Sequence, residues 1–304
     1  MSRKKEISKA AARILEELES SPSQLPQRKE LPRYRRETRD NFRPWVENAL
    51  ADFDGEIKDI EIDGVPCKQL TPTDWSQQTD ACIQYAYGGG YVSGSTYEDL
   101  IIAAPLAQQS GCRIVMVDYR LSPEHPYPAP QQDMQRVYPI LVDVYGPESL
   151  VVCGESAGGN QVLGLLLHIR NNGLMMPACA VLLSPWCDLA DPHEDDEGRD
   201  PTLDRAWVET AAAWHAAGQP LDDPGISPIY GELSGLPPTL ITSGGCDLLL
   251  GMSRRLREKM LAAEVDCRLE VRDGLWHVYE FYPIPEAEQS IREIAGFIRT
   301  HARA

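Results

Sequence analysis

No run in the 304 residues approaches the ~18 consecutive apolar residues that a membrane-spanning helix needs. Met1 to Ala12 is charged and no apolar stretch follows, so no secretory leader is expected. CxxC pairs are missing, and no Cys/His pair has metal-ligand spacing, which argues against zinc. Cys82, Cys112, Cys153, Cys179 and Cys267 lie in or beside apolar, strand-like runs, as buried thiols of a reduced, cytoplasmic protein would. Positive charge is scarce as well: 29 Lys+Arg against 46 Asp+Glu leave −17, which argues against general nucleic-acid binding. The deficit is uneven. Residues 1–43 hold 12 Lys/Arg against 7 Asp/Glu, a net of +5, so the rest of the chain is −22. Such a segment could be an RNA- or lipid-binding arm, but a solvated helical face docked on an acidic body is the simpler reading. No internal repeat is visible.

What is present fits a folded globule: 42% hydrophobic and 25% charged residues, at a length suited to an α/β enzyme with a lid. Helices are expected over 6–20 and 37–51, separated by a linker at 21–33 rich in Ser, Pro and Gln. Ile57 to Leu70, broken at Asp63-Gly64, reads as a hairpin. From residue 81 strands and helices alternate. Strands are expected at Ala81–Tyr87, Arg113–Asp118, Leu150–Cys153, Ala178–Ser184, Thr239–Ser243 and Cys267–Arg272. Helices are expected at 97–109, 129–145, 157–171, 249–263 and 286–300. That rhythm predicts an α/β fold with a mostly parallel, doubly wound sheet, whose functional residues collect at the carboxyl ends of the strands. An acidic, Pro-rich interval from Ala190 to Leu236 interrupts it, with one helix-like stretch near 203–217, as a lid or functional loop would.

The most informative stretch is Gly154-Glu155-Ser156-Ala157-Gly158, between the run Leu150–Cys153 and a helical pattern beginning at 157. A Ser between glycines on a strand-to-helix turn is either an incidental turn residue or an exposed nucleophile. A nucleophilic Ser needs a His base, and the His needs a carboxylate to fix its tautomer. Of six histidines, His301 lies in the tail, His168 inside a helix, His193 and His215 in the interruption, and His125 in a Pro-rich loop. His277 alone follows a predicted strand end. Asp247, directly after Thr239–Ser243, completes the order Ser, Asp, His. The alternative reading of Asp247 is a helix N-cap, and Asp188 is a rival acid; Asp247 is favoured because its strand is adjacent in sequence to the His-bearing one. Gly88-Gly89-Gly90 follows another strand, so the N–H groups of Gly88 and Gly89, with that of Ala157, could stabilise an oxyanion. No Lys-Ser/Thr follows the triplet, which excludes a Walker loop.

Four separated segments make the chain resemble the hormone-sensitive-lipase-like esterases of the α/β-hydrolase superfamily: the triplet at 88–90, the run Asp118-Tyr119-Arg120-Leu121-Ser122-Pro123-Glu124, Gly154 to Gly159, and Asp247 with His277. The resemblance implies an α/β-hydrolase fold with an eight-stranded sheet. It implies a helical cap from residues 1–50 and 190–222 over a catalytic domain of 51–189 and 223–304. Homodimers paired through the last strand are common in that family, and the resemblance leaves the oligomeric state of this chain open. Ser156, Asp247 and His277 would hydrolyse small carboxylic esters through an acyl-enzyme, with no metal or organic cofactor. Lactone or amide hydrolysis on the same residues stays open, as does a receptor of the same fold. Tyr87 stands where the family usually has His before the glycines, and its hydroxyl would brace the loop instead. Glu155 stands where Asp is common. Tyr87, Tyr91, Trp186, Trp207 and Trp214 are candidates for pocket walls. Asp118 and Glu124 are expected in buried ion-pair networks with Arg120 and the elbow region.

Overall fold

The computed structural model describes residues 7–19, 25–75, 80–191 and 200–303; His193 lies outside them. One sheet holds eight strands: β1 (Gly55–Ile62), β2 (Val65–Pro72), β3 (Cys82–Ala86), β4 (Arg113–Val117), β5 (Leu150–Glu155), β6 (Cys179–Leu183), β7 (Thr239–Gly244) and β8 (Cys267–Arg272). Their order is β1-β2-β4-β3-β5-β6-β7-β8. The β1–β2 and β2–β4 pairs are antiparallel and the others parallel. β1 and β2 form the expected hairpin. Asp63 and Gly64 both take positive φ, 48° and 73°, as a two-residue turn of matching twist requires. β3, β5, β6 and β7 are buried along their whole length, which explains their continuous apolar runs.

Eight helices are described: α1 (Lys9–Glu19), α2 (Leu31–Ala51), α3 (Leu100–Ser110), α4 (Ala129–Tyr145), α5 (Ala157–Asn171), α6 (Arg205–Ala216), α7 (Leu250–Ala262) and α8 (Pro285–His301). α4 and α5 have the predicted bounds. α2 begins six residues earlier than expected, at Leu31, inside the stretch read as linker. Pro32 sits in its first turn, where its fixed φ suits a helix and its missing N–H costs nothing.

Strand order reverses between β3 and β5. The chain runs from β3 outward to β4, then returns to β5 on the other side of β3. A crevice opens at the carboxyl ends of the strands on either side of such a reversal. The Gly88 loop follows β3 and Ser156 follows β5, so the topology brings these two segments together. A small second core forms beside it. Leu275, Trp276, Tyr279 and Tyr282 pack with Ala11 of α1, flanked by Ile14, Leu15 and Leu18. The eight cysteines are free thiols; all are buried except the half-buried Cys246.

Candidate active site

Ser156 occupies a strained turn, φ 52° and ψ −118°, a region that only surrounding structure can enforce. Its N–H donates to the Leu183 carbonyl at 2.9 Å, and its carbonyl accepts the Trp186 N–H at 2.9 Å. Glycine is needed on both sides. A Cβ on Gly154 would lie 2.4 Å from the Gly158 carbonyl oxygen, and one on Gly158 would lie 2.0 Å from that of Ala86. The missing side chains let α5 start directly against β3 and β5.

His277 lies on the loop after β8, and Asp247 on the loop after β7. Two backbone bonds clamp these loops: Gly245 N–H to Arg272 O and Cys246 N–H to Leu275 O, both 2.7 Å. A Cβ on Gly244 would stand 2.4 Å from the Leu275 and Trp276 carbonyl oxygens, so glycine permits the close approach. His277 Nε2 is 2.9 Å from Ser156 Oγ, and His277 Nδ1 is 3.1 Å from Asp247 Oδ1. All three residues are buried. Asp247 also accepts the Ser243 hydroxyl at 2.9 Å and the Leu249 N–H at 2.8 Å. The rival Asp188 faces elsewhere, bound by Arg255 Nη2 at 3.1 Å and by the Tyr230 hydroxyl at 3.3 Å.

Burial, the largest influence on His277, disfavours its charge. The charge and hydrogen bond of Asp247, then Asp200 and Glu155, outweigh it and raise the imidazole pKa above its usual value. Burial likewise opposes ionised Asp247, but His277 and the donors around it hold the carboxyl below its ordinary range. The pair is thus built to stabilise imidazolium against carboxylate.

The glycine loop differs from expectation by one residue. The Gly88 N–H donates to Glu155, so it is not free for a substrate oxygen. Among the described residues, no acceptor is bonded to the N–H of Gly89, Gly90 or Ala157. Gly89 and Gly90 take positive φ, 89° and 61°, which turns their backbone away from the course of β3. Burial pushes the Glu155 carboxyl up to about 7, against the pull of His277 and of the Gly88 N–H.

Tyr87 braces this loop, but not as a pocket wall. Its hydroxyl donates to the Tyr119 carbonyl at 2.9 Å, and the Tyr119 hydroxyl donates back to the Tyr87 carbonyl at 2.6 Å. The two rings stack at 4.2 Å. Tyr119 belongs to the Asp118-Tyr119-Arg120 run, which thereby fixes the loop from beneath. Tyr87→Phe leaves a buried carbonyl without its donor. The expected loss is about 1–3 kcal/mol, read as a lower urea midpoint, with a parallel fall in turnover as the loop loosens.

A cavity of about 260 Å³ opens on Ser156 and His277. Trp186 and Trp207 line it, with Tyr34, Phe42, Leu203 and Val208; Tyr87, Tyr91 and Trp214 are not among its walls. Tyr91 is turned under the loop, stacked on His215 at 3.6 Å and donating to Asn160 Oδ1 at 2.6 Å. Trp214 lies half-buried on α6, packed against the core. The expected ion pairs also regroup: Arg120 binds Asp133 at 2.8 Å and Glu124 binds Arg35 at 2.8 Å, neither reaching the elbow. Two contributors escaped the sequence reading. Gly90 was one step along a triplet whose register depends on Glu155, a contact 67 residues away. Asp200 sits in the irregular interval, where no pattern marks it.

Comparison with known proteins shows the family. The α/β hydrolase fold family matches residues 83–281. An esterase of Acinetobacter venetianus is 30% identical over 250 residues, covering 80% of this chain and 81% of its own. An acetyl-hydrolase of Streptomyces hygroscopicus is 32% identical over 231 residues, covering 74% and 77%. Among solved structures, EstE5 soaked in ethyl alcohol superposes with a TM-score of 0.87 at 29% identity, covering 97% of this chain and 99% of that one. An esterase from the bacterial hormone-sensitive lipase family gives 0.85 at 30% identity, covering 98% and 99%. Fold and relatives define the class, an α/β hydrolase acting on ester bonds. The chain belongs to the hormone-sensitive-lipase-like esterases of that fold.

Proposed function

We propose that this chain hydrolyses small, short-acyl carboxylic esters through an acyl-enzyme on Ser156. His277, oriented by Asp247, takes the Ser156 proton as Oγ attacks the ester carbonyl. The N–H groups of Gly89, Gly90 and Ala157 receive the oxyanion. The imidazolium then gives its proton to the departing alcohol. Water, activated by the same imidazole, releases the acid and frees Ser156. The observation that carries this reading is the unbroken contact from Ser156 Oγ through His277 to Asp247, 2.9 and 3.1 Å, on the wall of a cavity of about 260 Å³. A cavity of that volume suits a short acyl chain. The cap proposed from residues 1–50 and 190–222 is supported by the described residues Leu18, Tyr34, Phe42, Leu203 and Trp207, which contribute to the cavity walls. β8 forms one edge of the sheet, and pairing of two copies along it is the proposed homodimer.

The test is a panel of p-nitrophenyl esters of increasing acyl length, run beside a lactone and an anilide. Acetate and butyrate esters should turn over fastest. No release from any ester, or faster release from the anilide, overturns the reading. The pH dependence follows from His277. Its pKa is raised above 6.5 and the base must be neutral, so kcat/KM falls as pH drops through that higher value. The acid limb should therefore have its midpoint above 6.5. Glu155, pushed up to about 7, takes up a proton as pH falls, which weakens its hold on the Gly88 N–H.

A further inference from the structure

Asp200 precedes α6 on the segment that follows β6, and both its carboxylate oxygens are engaged. Oδ2 accepts the N–H of Leu248, the residue after Asp247, at 2.9 Å. Oδ1 accepts the Thr202 N–H at 2.9 Å, the Thr202 hydroxyl at 2.7 Å and the Leu203 N–H at 3.3 Å. Asp200, Asp247 and His277 bring one polar atom each within 4.8 Å of one another. The trio does not suit a metal. Three backbone N–H groups and a hydroxyl already point at Asp200, and Asp247 is held by Ser243, Leu249 and His277.

We propose that Asp200 is a positioning residue for ester hydrolysis, adding a second carboxylate beside His277 and anchoring the Asp247 loop through Leu248. The inference rests on the Ser156–His277–Asp247 reading above. Two consequences follow from one side chain. The Leu248 bond ties the Asp247 loop to the segment that enters α6, so the carboxylate that orients His277 and the cavity wall at Thr202 and Leu203 are fixed together. The charge stabilises the imidazolium that forms as Ser156 attacks. The other carboxylates that act on His277 are Asp247, on the loop after β7, and Glu155, at the end of β5. Tyr282, from the loop before α8, faces Asp200 and is neutral. Burial and Asp247 raise the Asp200 pKa while His277 lowers it, so the Asp200 charge and the imidazolium support one another.

The experiment is kcat/KM against pH for a short p-nitrophenyl ester, comparing the full chain with Asp200→Asn and Asp200→Glu. Asp200→Asn removes the charge at nearly constant shape. Its acid limb should move down by on the order of one pH unit, between the limits that water and a protein-like dielectric set for a charge at this range. Its plateau should fall about tenfold, mostly in kcat. Asp200→Glu keeps the charge and displaces the Leu248 contact, so its plateau falls while its limb stays in place. If Asp200→Asn does not fold, Asp200→Ser replaces it, because a Ser hydroxyl can still cap the turn at Thr202 without the charge. A folded, uncharged variant with an unmoved acid limb overturns the inference. Failure of the underlying reading is separable: it would appear as Ser156→Ala retaining activity, whatever Asp200 does.

Discussion

Ser156→Ala lowers kcat for a short p-nitrophenyl ester by on the order of 10⁶, with KM little changed. That is the scale at which serine hydrolases lose activity when the nucleophile is removed, because the residues of the triad act as a unit. The variant should fold normally. Ser156 holds its strained φ through backbone bonds to Leu183 and Trp186, not through its side chain. Alanine therefore removes the attacking oxygen and leaves the Asp247–His277 pair, the glycine loop and the cavity in place. Unchanged thermal unfolding beside vanished turnover would separate chemistry from structure. A loss of less than about a hundredfold would mean that water, or another side chain, performs the attack.

Gly158→Ala has the second largest expected effect, and it acts through packing. The added Cβ would meet the Ala86 carbonyl oxygen at 2.0 Å and the Tyr87 carbonyl oxygen at 2.6 Å. Both contacts are backbone, so no flexible side chain can move aside. Either α5 must back away from β3 and β5, or the end of β3 must shift. Overpacking of this severity costs roughly 3 kcal/mol or more, a fall in Tm of roughly 6 to 12 °C for a chain of this size. Gly88, Gly89 and Gly90 follow the displaced carbonyls directly, so oxyanion geometry and kcat should fall together with stability. A calorimetric scan with a parallel rate measurement checks both. Gly164→Ala is the control: nothing lies within 4 Å of its added Cβ, so both quantities should stay near wild type.

Much of this arrangement was legible in the sequence because local patterns and topology agreed. Alternating strand and helix signals located β3 to β8 within two residues at each end. They also put Ser156, Asp247 and His277 at carboxyl ends of strands, where the fold brings Ser156 Oγ and the His277 ring to 2.9 Å. What was missed depends on partners distant in sequence. The choice between Gly88 and Gly90 as a free donor rests on Glu155 binding the Gly88 N–H. Tyr87 braces the loop through its hydroxyl as expected, but nothing local identifies Tyr119 as its partner or takes it out of the pocket wall. Arg120 binds Asp133 and not Asp118 or Glu124, because α4 carries Asp133 back against it from thirteen residues along the chain. Asp200 carried no signal, since the segment around it has neither strand nor helix periodicity.

Covalent labelling with a fluorophosphonate, read by mass spectrometry, tests the central claim most directly. The wild-type chain should gain one adduct on the peptide that contains Ser156. His277→Ala should slow labelling by several orders of magnitude, and Ser156→Ala should abolish it. An adduct on another residue, or equal labelling rates in wild type and His277→Ala, would contradict the assignment of Ser156 as the nucleophile activated by His277.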